Sequence, residues 1–244
     1  MSGHSKWHNI KYKKALADKK RGQIFSKITK QIEIAAREGG GDPETNSALR
    51  MAIERAKSFN LPKEKIERAI KRGVGKLEGV KYEKFLYEAF GPGGVAMIIE
   101  GVTDNKNRAL SEIKKVLRDF GGKLAEEGSV KWLFEKKGVI LIDREKQRED
   151  FKNKENLELI AIESGASNFS WRENFLEIQT TIEKLEEVKN FLKNKGIKIE
   201  DASLDWVAKE EIKIGEEIKR KCQSLFSALD ELDSVQEIYS NLKI

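Results

Sequence analysis

The hydrophobic period of the chain changes near residue 80, which limits the fold to a helical part followed by a mixed part. Before residue 80, apolar residues recur every three or four positions, as on one side of an α-helix. After it, they recur at every second position from Phe85 to Ala89 and again from Val95 to Ile99. The turn sequence Gly91–Gly94 separates these two runs, so they predict a β-hairpin. The sequence therefore predicts an α+β protein.

Three amphipathic helices are predicted before residue 80. The first runs from about Leu16 to Glu38 and ends at three glycines. The second starts at Asp42–Pro43, and the third starts at Pro62 and ends at Gly73. The residues expected to be buried in this bundle share helical spacing: Ile24, Ile28, Ile32, Ala35, Leu49, Ala52, Ile53, Ala56, Ile66, Ala69 and Ile70. The cations of the first helix are expected opposite its apolar side: Lys19, Lys20, Lys27, Lys30 and Arg37.

Beyond the hairpin, the pattern predicts two α+β units of ferredoxin-like, split βαβ type, the second inserted into the first. A helix capped by Asp104 or Asn105 is followed by a strand at Val130–Phe134. From Val139 the order is strand, helix, two strands and a helix that Thr180 and Glu183 would cap. The apolar side of the first of these helices is expected to comprise Leu110, Ile113, Val116, Leu117 and Phe120.

We expect three domains. The basic helical domain comprises residues 1–80, and a discontinuous α+β domain comprises residues 81–136 with 204–244. The inserted α+β domain comprises residues 137–203. The last part of the chain is predicted to contain a strand, a helix around Cys222 and a short final strand near Val235–Tyr239.

Charge is distributed unevenly along the chain. The 244 residues have a formal net charge of +6 at pH 7. Residues 1–80 hold 19 Lys and Arg against 9 Asp and Glu, whereas residues 81–244 hold 28 against 32. The first part therefore carries a net charge of +10 and the second a net charge of −4. Such a basic segment is typical of proteins that bind polyanions, and it also fits an acidic protein or an anionic lipid as the partner.

Residues 1–30 form the candidate site, because they combine many cations with Trp7 and Tyr12 and contain a single acid, Asp18. Lysines neutralise phosphates and aromatic rings stack on unpaired bases, so this segment predicts nucleic-acid binding. Lysine outnumbers arginine, which favours backbone contacts with weak sequence preference. The candidate contacts are Lys6, Trp7, Lys11, Lys13, Lys14, Lys19, Lys20, Arg21, Lys27 and Lys30.

Other interpretations of the basic segment stay open. Trp7 can instead fold back as a hydrophobic anchor while the lysines keep the protein soluble. The second and third helices also fit a helix-turn-helix, a geometry that many small bundles share. An adaptor between proteins is a further alternative, in which the basic and acidic parts of the chain each bind a different partner.

The sequence argues against catalysis, cofactors and metal sites. Its single cysteine, Cys222, lies on an apolar stripe, and the only histidines, His4 and His8, have no third ligand near them. The segment Gly73–Lys76 does not match a phosphate-binding loop, because Ile70 stands where that motif requires glycine. No apolar run is long enough for a membrane span, and the N-terminus lacks a signal-peptide core, so we expect a cytoplasmic protein without a membrane partner.

Five segments closely resemble the YebC family: Gly3–Trp7, Arg21–Lys27, Ile66–Lys71, Gly91–Ala96 and Thr103–Arg108. The resemblance extends over nearly the whole chain and is strongest up to about Phe134. It implies three domains with a helical N-terminal domain and a discontinuous second domain.

The resemblance also implies a function in gene expression. Family members are commonly named transcriptional regulators that bind DNA, and a second branch, including the mitochondrial translational activator of cytochrome oxidase subunit I, acts on the ribosome. It adds His4 to the candidate contacts, beside Lys6 and Trp7. We therefore expect a monomeric, non-enzymatic regulator whose partner is DNA or, alternatively, ribosomal RNA on the ribosome.

Overall fold

A computed structural model describes residues 18–243 of the chain, with side chains from Lys20 onward. Within these residues the protein has seven α-helices and two four-stranded antiparallel sheets, so the α+β class is confirmed. The helices and strands are, in chain order, α1 (Asp18–Gly39), α2 (Ser47–Ser58), α3 (Lys63–Gly73), β1 (Glu83–Phe90), β2 (Ala96–Thr103), α4 (Lys106–Asp119), β3 (Lys123–Leu124), β4 (Phe134–Asp143), α5 (Lys154–Glu163), β5 (Asn168–Arg172), β6 (Phe175–Thr180), α6 (Leu185–Asn194), β7 (Asp201–Ala208), α7 (Glu216–Asp230) and β8 (Val235–Ser240).

The chain forms two compact units. Of the described residues, those up to Phe134 and those from Ala208 onward form the first unit, and Glu135–Val207 form the second. The finer division into three domains stays a prediction. None of the helices within residues 18–243 combines the length and apolar character needed to cross a membrane.

The helical bundle of the first unit buries the residues that helical spacing predicts. Nine of the eleven predicted positions are buried, and Ile53 and Ile70 pack against them while partly exposed. Gly73 lets the end of α3 approach α1, since a Cβ at this position would lie 2.4 Å from the carbonyl oxygen of Glu33. The close approach explains why this helix ends in glycine.

Helix α2 begins four residues after the predicted Pro43, and Asn46 caps it. The Asn46 side chain accepts a hydrogen bond from the Leu49 N–H at 3.0 Å. The same side chain donates to the carbonyl oxygens of Ala35 and Gly40, both at 2.8 Å. Asp42 starts a turn instead, in which its carboxylate accepts the Glu44 N–H. Asn46 therefore holds the end of α1 and the start of α2 together.

The first sheet has the strand order β3-β1-β2-β8, with the predicted hairpin at its centre. Strand β1 pairs in antiparallel register with β2, from Glu83 opposite Thr103 to Phe90 opposite Ala96. Helices α4 and α7 supply buried residues to the core that the sheet shares with them. Asn105, one of the two predicted caps, accepts the Arg108 N–H at the start of α4. Phe120, predicted in the apolar stripe of α4, instead follows the helix and is exposed.

The predicted strand at Val130–Phe134 is wrong, because a carboxylate takes the N–H groups that a strand partner would use. Glu88 of β1 accepts hydrogen bonds from the N–H groups of Gly128, Val130 and Lys131, at 2.5 to 2.7 Å. The segment forms a tight turn, and strand β4 starts only at Phe134.

The second unit has the predicted order of strand, helix, two strands, helix and strand. Its sheet order is β5-β6-β4-β7, and β4 pairs in antiparallel register with β6. Helix α6 starts at Leu185 without a side-chain cap, so the predicted capping by Thr180 and Glu183 is wrong. Thr180 is the last residue of β6 and is buried.

Candidate nucleic-acid interface

Most of the predicted contacts lie outside the described part of the chain. His4, Lys6, Trp7, Lys11, Lys13 and Lys14 precede residue 18, and Lys19 lies in α1 without a described side chain. The remaining four contacts all lie on α1: Lys20, Arg21, Lys27 and Lys30. The assignment of these residues to nucleic acid stays a prediction.

Lys27 is buried, contrary to its predicted place on the solvent side of α1. Only 7% of the residue is accessible, and its ammonium donates to the carbonyl oxygen of Asp230 at 2.6 Å. The Asp230 carboxylate lies 2.9 Å from the same nitrogen. Helix α1 therefore has neighbours on two sides, the bundle and the end of α7. A buried lysine needs such partners, because an unpaired buried charge is costly.

Two further cations of α1 contact the turn that follows α7. Lys30 donates to the carbonyl oxygen of Asp233 at 2.9 Å, and Lys20 lies 3.6 Å from the Glu231 carboxylate. We call residues 230–233 the acidic turn. Burial lowers the pKa of Lys30, an effect that the carboxylates of Asp233 and Asp104 oppose. This side of α1 thus serves a contact within the protein, whereas Arg21 is exposed.

A cleft lies beside these cations in the same unit. It has a volume of about 520 Å³ and is enclosed by the second half of α1, the end of α3 and the segment that leads to β1. Its polar side chains are Glu33, Arg37, Arg72, Lys81 and Tyr82. Helical spacing predicts Arg37 on the polar side of its helix, but it does not connect Arg37 with the adjacent Lys81 and Tyr82, which follow it by 44 and 45 residues.

The buried Glu33 and the partly exposed Arg72 lie next to each other in this cleft. The Glu33 carboxylate is 8% exposed and accepts a hydrogen bond from Arg72 at 3.3 Å. Burial raises the pKa of Glu33, while the hydrogen bond and charge of Arg72 act in the opposite direction. Lys30 stands over the ring of Tyr82, with its nitrogen 5.7 Å from the ring centre. The cleft therefore presents donors, an acceptor and an aromatic ring together.

Two family models match nearly the whole chain. The TACO1/YebC protein N-terminal domain matches residues 5–76, and the TACO1/YebC second and third domain matches residues 82–242. A "Probable transcriptional regulatory protein" of Halothermothrix orenii is 48% identical over all of this chain and 96% of its own length. One of Thermotoga maritima is 47% identical over all of this chain and 94% of its own length.

A solved structure has the same fold. The crystal structure of a conserved hypothetical protein from Aquifex aeolicus matches with a TM-score of 0.87 and 42% identity, over 94% of this chain and 93% of that one. The resemblance to the YebC family that the sequence motifs indicate is confirmed. The chain belongs to the TACO1/YebC family.

Proposed function

We propose that this protein is a non-enzymatic regulator of gene expression that binds nucleic acid through its basic N-terminal residues. The observation that carries the proposal is the net charge of +10 on residues 1–80, against −4 on the remainder. Relatives covering the whole chain are named probable transcriptional regulatory proteins, which supports a regulatory role. The proposal places the protein in the cytoplasm as a monomer.

The composition of the basic residues favours contact with phosphates over reading of bases. Eight of the nine cations in residues 1–30 are lysines, which act as point charges rather than as bidentate donors to guanine. Lys27 and Lys30 are held at the acidic turn, so the cations that precede them in the sequence are the stronger candidates for phosphate contact. Trp7 supplies a ring that can stack on an unpaired base.

The same features support a second candidate, a translation factor that contacts ribosomal RNA. Stacking aromatics among lysines suit single-stranded or structured RNA, whose bases are accessible, better than duplex DNA. The relatives are named as probable transcriptional regulatory proteins, and a role in transcription fits the first candidate. Crosslinking in cells, followed by sequencing of the bound RNA and DNA, separates the two: promoter reads support the first candidate, and reads in ribosomal RNA support the second. Reads from neither would favour a protein adaptor.

Salt dependence tests the electrostatic basis of the proposal. If the basic residues neutralise six to nine phosphates, the logarithm of the binding constant should fall with the logarithm of salt concentration with a slope of roughly −4 to −8. The measurement is a titration of labelled DNA and RNA at several salt concentrations. An affinity that hardly changes with salt would contradict the proposal.

A further inference from the structure

The cleft beside α1 carries positive charge at its accessible rim. Arg37 and Lys81 line it and are both exposed. Within residues 20–243, neither side chain lies at ion-pair distance from a carboxylate, whereas Arg72 is held by Glu33. Two cations that share one concave site form a place for a bound anion, since the concave shape concentrates their field.

The cleft also has an apolar wall that is open to water. Leu77 is 42% exposed and Val80 is 56% exposed, and both line the cleft next to Tyr82. Exposed large apolar side chains grouped in a pocket favour an apolar or aromatic ligand surface there. An inorganic anion would leave this wall uncovered, whereas a ligand that joins an anion to a flat ring would cover it.

The pair Glu33 and Arg72 in the cleft can recognise the polar edge of a ligand. The Arg72 guanidinium donates to the Glu33 carboxylate at 3.3 Å. The second carboxylate oxygen can still accept a hydrogen bond, and the other guanidinium N–H groups can still donate one. The edges of nucleobases carry N–H donors and carbonyl or ring-nitrogen acceptors side by side. An acceptor and a donor fixed together therefore match the edge of a base.

We propose that this cleft binds one unpaired nucleotide. The phosphate lies at Arg37 and Lys81, and the base covers the wall formed by Leu77 and Val80. Its edge faces Glu33 and Arg72. The inference rests on the proposed function, because it makes the cleft a second part of the nucleic-acid interface, and it adds a preference for single strands. A base in a duplex is stacked and paired, so it cannot enter without first being extruded.

Binding of short labelled RNA to the full chain tests this site. The probes are a single-stranded RNA and a duplex of the same sequence, at one fixed salt concentration. The variant Arg37→Ala/Lys81→Ala should bind the single strand about tenfold or more weakly, while its duplex affinity changes by less than about twofold. The matched control, Lys57→Ala/Arg68→Ala, removes the same two charge types from exposed positions outside the cleft. This control should weaken the binding of both probes slightly and to the same extent.

Competition with small ligands separates a nucleotide site from a simple phosphate site. The four ribonucleoside monophosphates should displace the single strand at lower concentrations than inorganic phosphate does. Glu33→Gln should change their order of potency, because the base edge then meets an amide. Leu77→Ser/Val80→Ser leaves every charge in place and should weaken single-strand binding several-fold.

The outcomes distinguish this inference from the proposed function. If the cleft variant and its control behave alike while both probes still bind, the cleft is not the site, and the basic N-terminal residues remain the interface. Inorganic phosphate that competes as well as the nucleotides also overturns the nucleotide site. If the unaltered chain binds neither probe, both proposals are wrong.

Discussion

At the scale of single residues, three side chains show how burial and partners decide what a polar group does. Lys27 and Glu88 are almost fully buried, and each is surrounded by groups of complementary character. Lys20, only a few positions before Lys27 on the same helix, makes a longer and more exposed ion pair. The two lysines look alike in sequence, but Lys27 makes a buried contact and Lys20 makes an ion pair at the surface.

Asp230→Asn tests whether the buried contact of Lys27 stabilises the fold. The change leaves the buried ammonium without its carboxylate, so the free energy of unfolding should fall by about 1–3 kcal/mol. Urea unfolding measures it. Glu231→Gln is the matched control, because its partner Lys20 lies 3.6 Å away in a more exposed ion pair. In this variant the free energy of unfolding should fall by less than about 1 kcal/mol. Equal losses in the two variants would show that burial of Lys27 is unimportant.

Glu88→Gln tests the carboxylate that shapes the turn before β4. Burial raises the pKa of Glu88, but the hydrogen bonds from Gly128, Val130 and Lys131 outweigh it, and the net pKa is lowered. The charged form therefore stabilises the fold above the ordinary pKa of glutamate, and this contribution is lost as the pH falls through the lowered pKa. The variant should be less stable by about 1–3 kcal/mol at pH 7. The difference should shrink in urea unfolding at acidic pH; a constant difference would contradict the assignment.

At the scale of helices and strands, the sequence predicts the existence of the elements better than it predicts where they begin and end. Periodicity located the three helices of the bundle and the central hairpin, because burial of one face follows directly from spacing. The start of α2 was misplaced, since Asp42–Pro43 looks like a helix start while Asn46 has partners on α1. The turn before β4 was missed for the same reason: its hydrogen-bond acceptor, Glu88, lies 42 residues away from Val130.

Asn46→Ala measures how much the hydrogen bonds of Asn46 between α1 and α2 contribute to the stability of the fold. The variant loses one cap hydrogen bond and two bonds to carbonyl groups, so it should be destabilised by about 2–3 kcal/mol. Asn105→Ala is the control, because Asn105 caps α4 through a single such bond and should cost about 1 kcal/mol. Thermal or urea unfolding compares the two. A loss no greater than that of the control would show that the bonds to Ala35 and Gly40 contribute nothing.

At the scale of the whole molecule, charge asymmetry was visible in the sequence and the arrangement around the cleft was not. Counting residues reveals a basic N-terminal third. It cannot reveal that Arg37, Arg72 and Lys81 line one cleft, because they come from two helices and a connecting segment. Nor does it indicate that the acidic turn, about 200 residues later, binds the cations of α1.

The proposed interface predicts the effect of removing four lysines together. Replacing Lys13, Lys14, Lys19 and Lys20 by alanine should weaken binding to all nucleic-acid sequences alike and reduce the salt slope by about 1 for each lost phosphate contact. The control removes four exposed lysines elsewhere: Lys114, Lys115, Lys123 and Lys198. Its binding should change little. If the first variant binds as well as the control, the adaptor alternative gains support.

The path of the chain through the first unit constrains the order in which the protein folds during synthesis. Strand β8 pairs with β2, and Asp230 is the partner of Lys27, so the outer pairing of the hairpin and the buried contact of Lys27 form only after residues 230–240 have been made. The second unit is continuous and can fold while those residues are still inside the ribosome. Lys27 and Lys30 of α1 therefore meet the acidic turn only after residues 230–233 have been made.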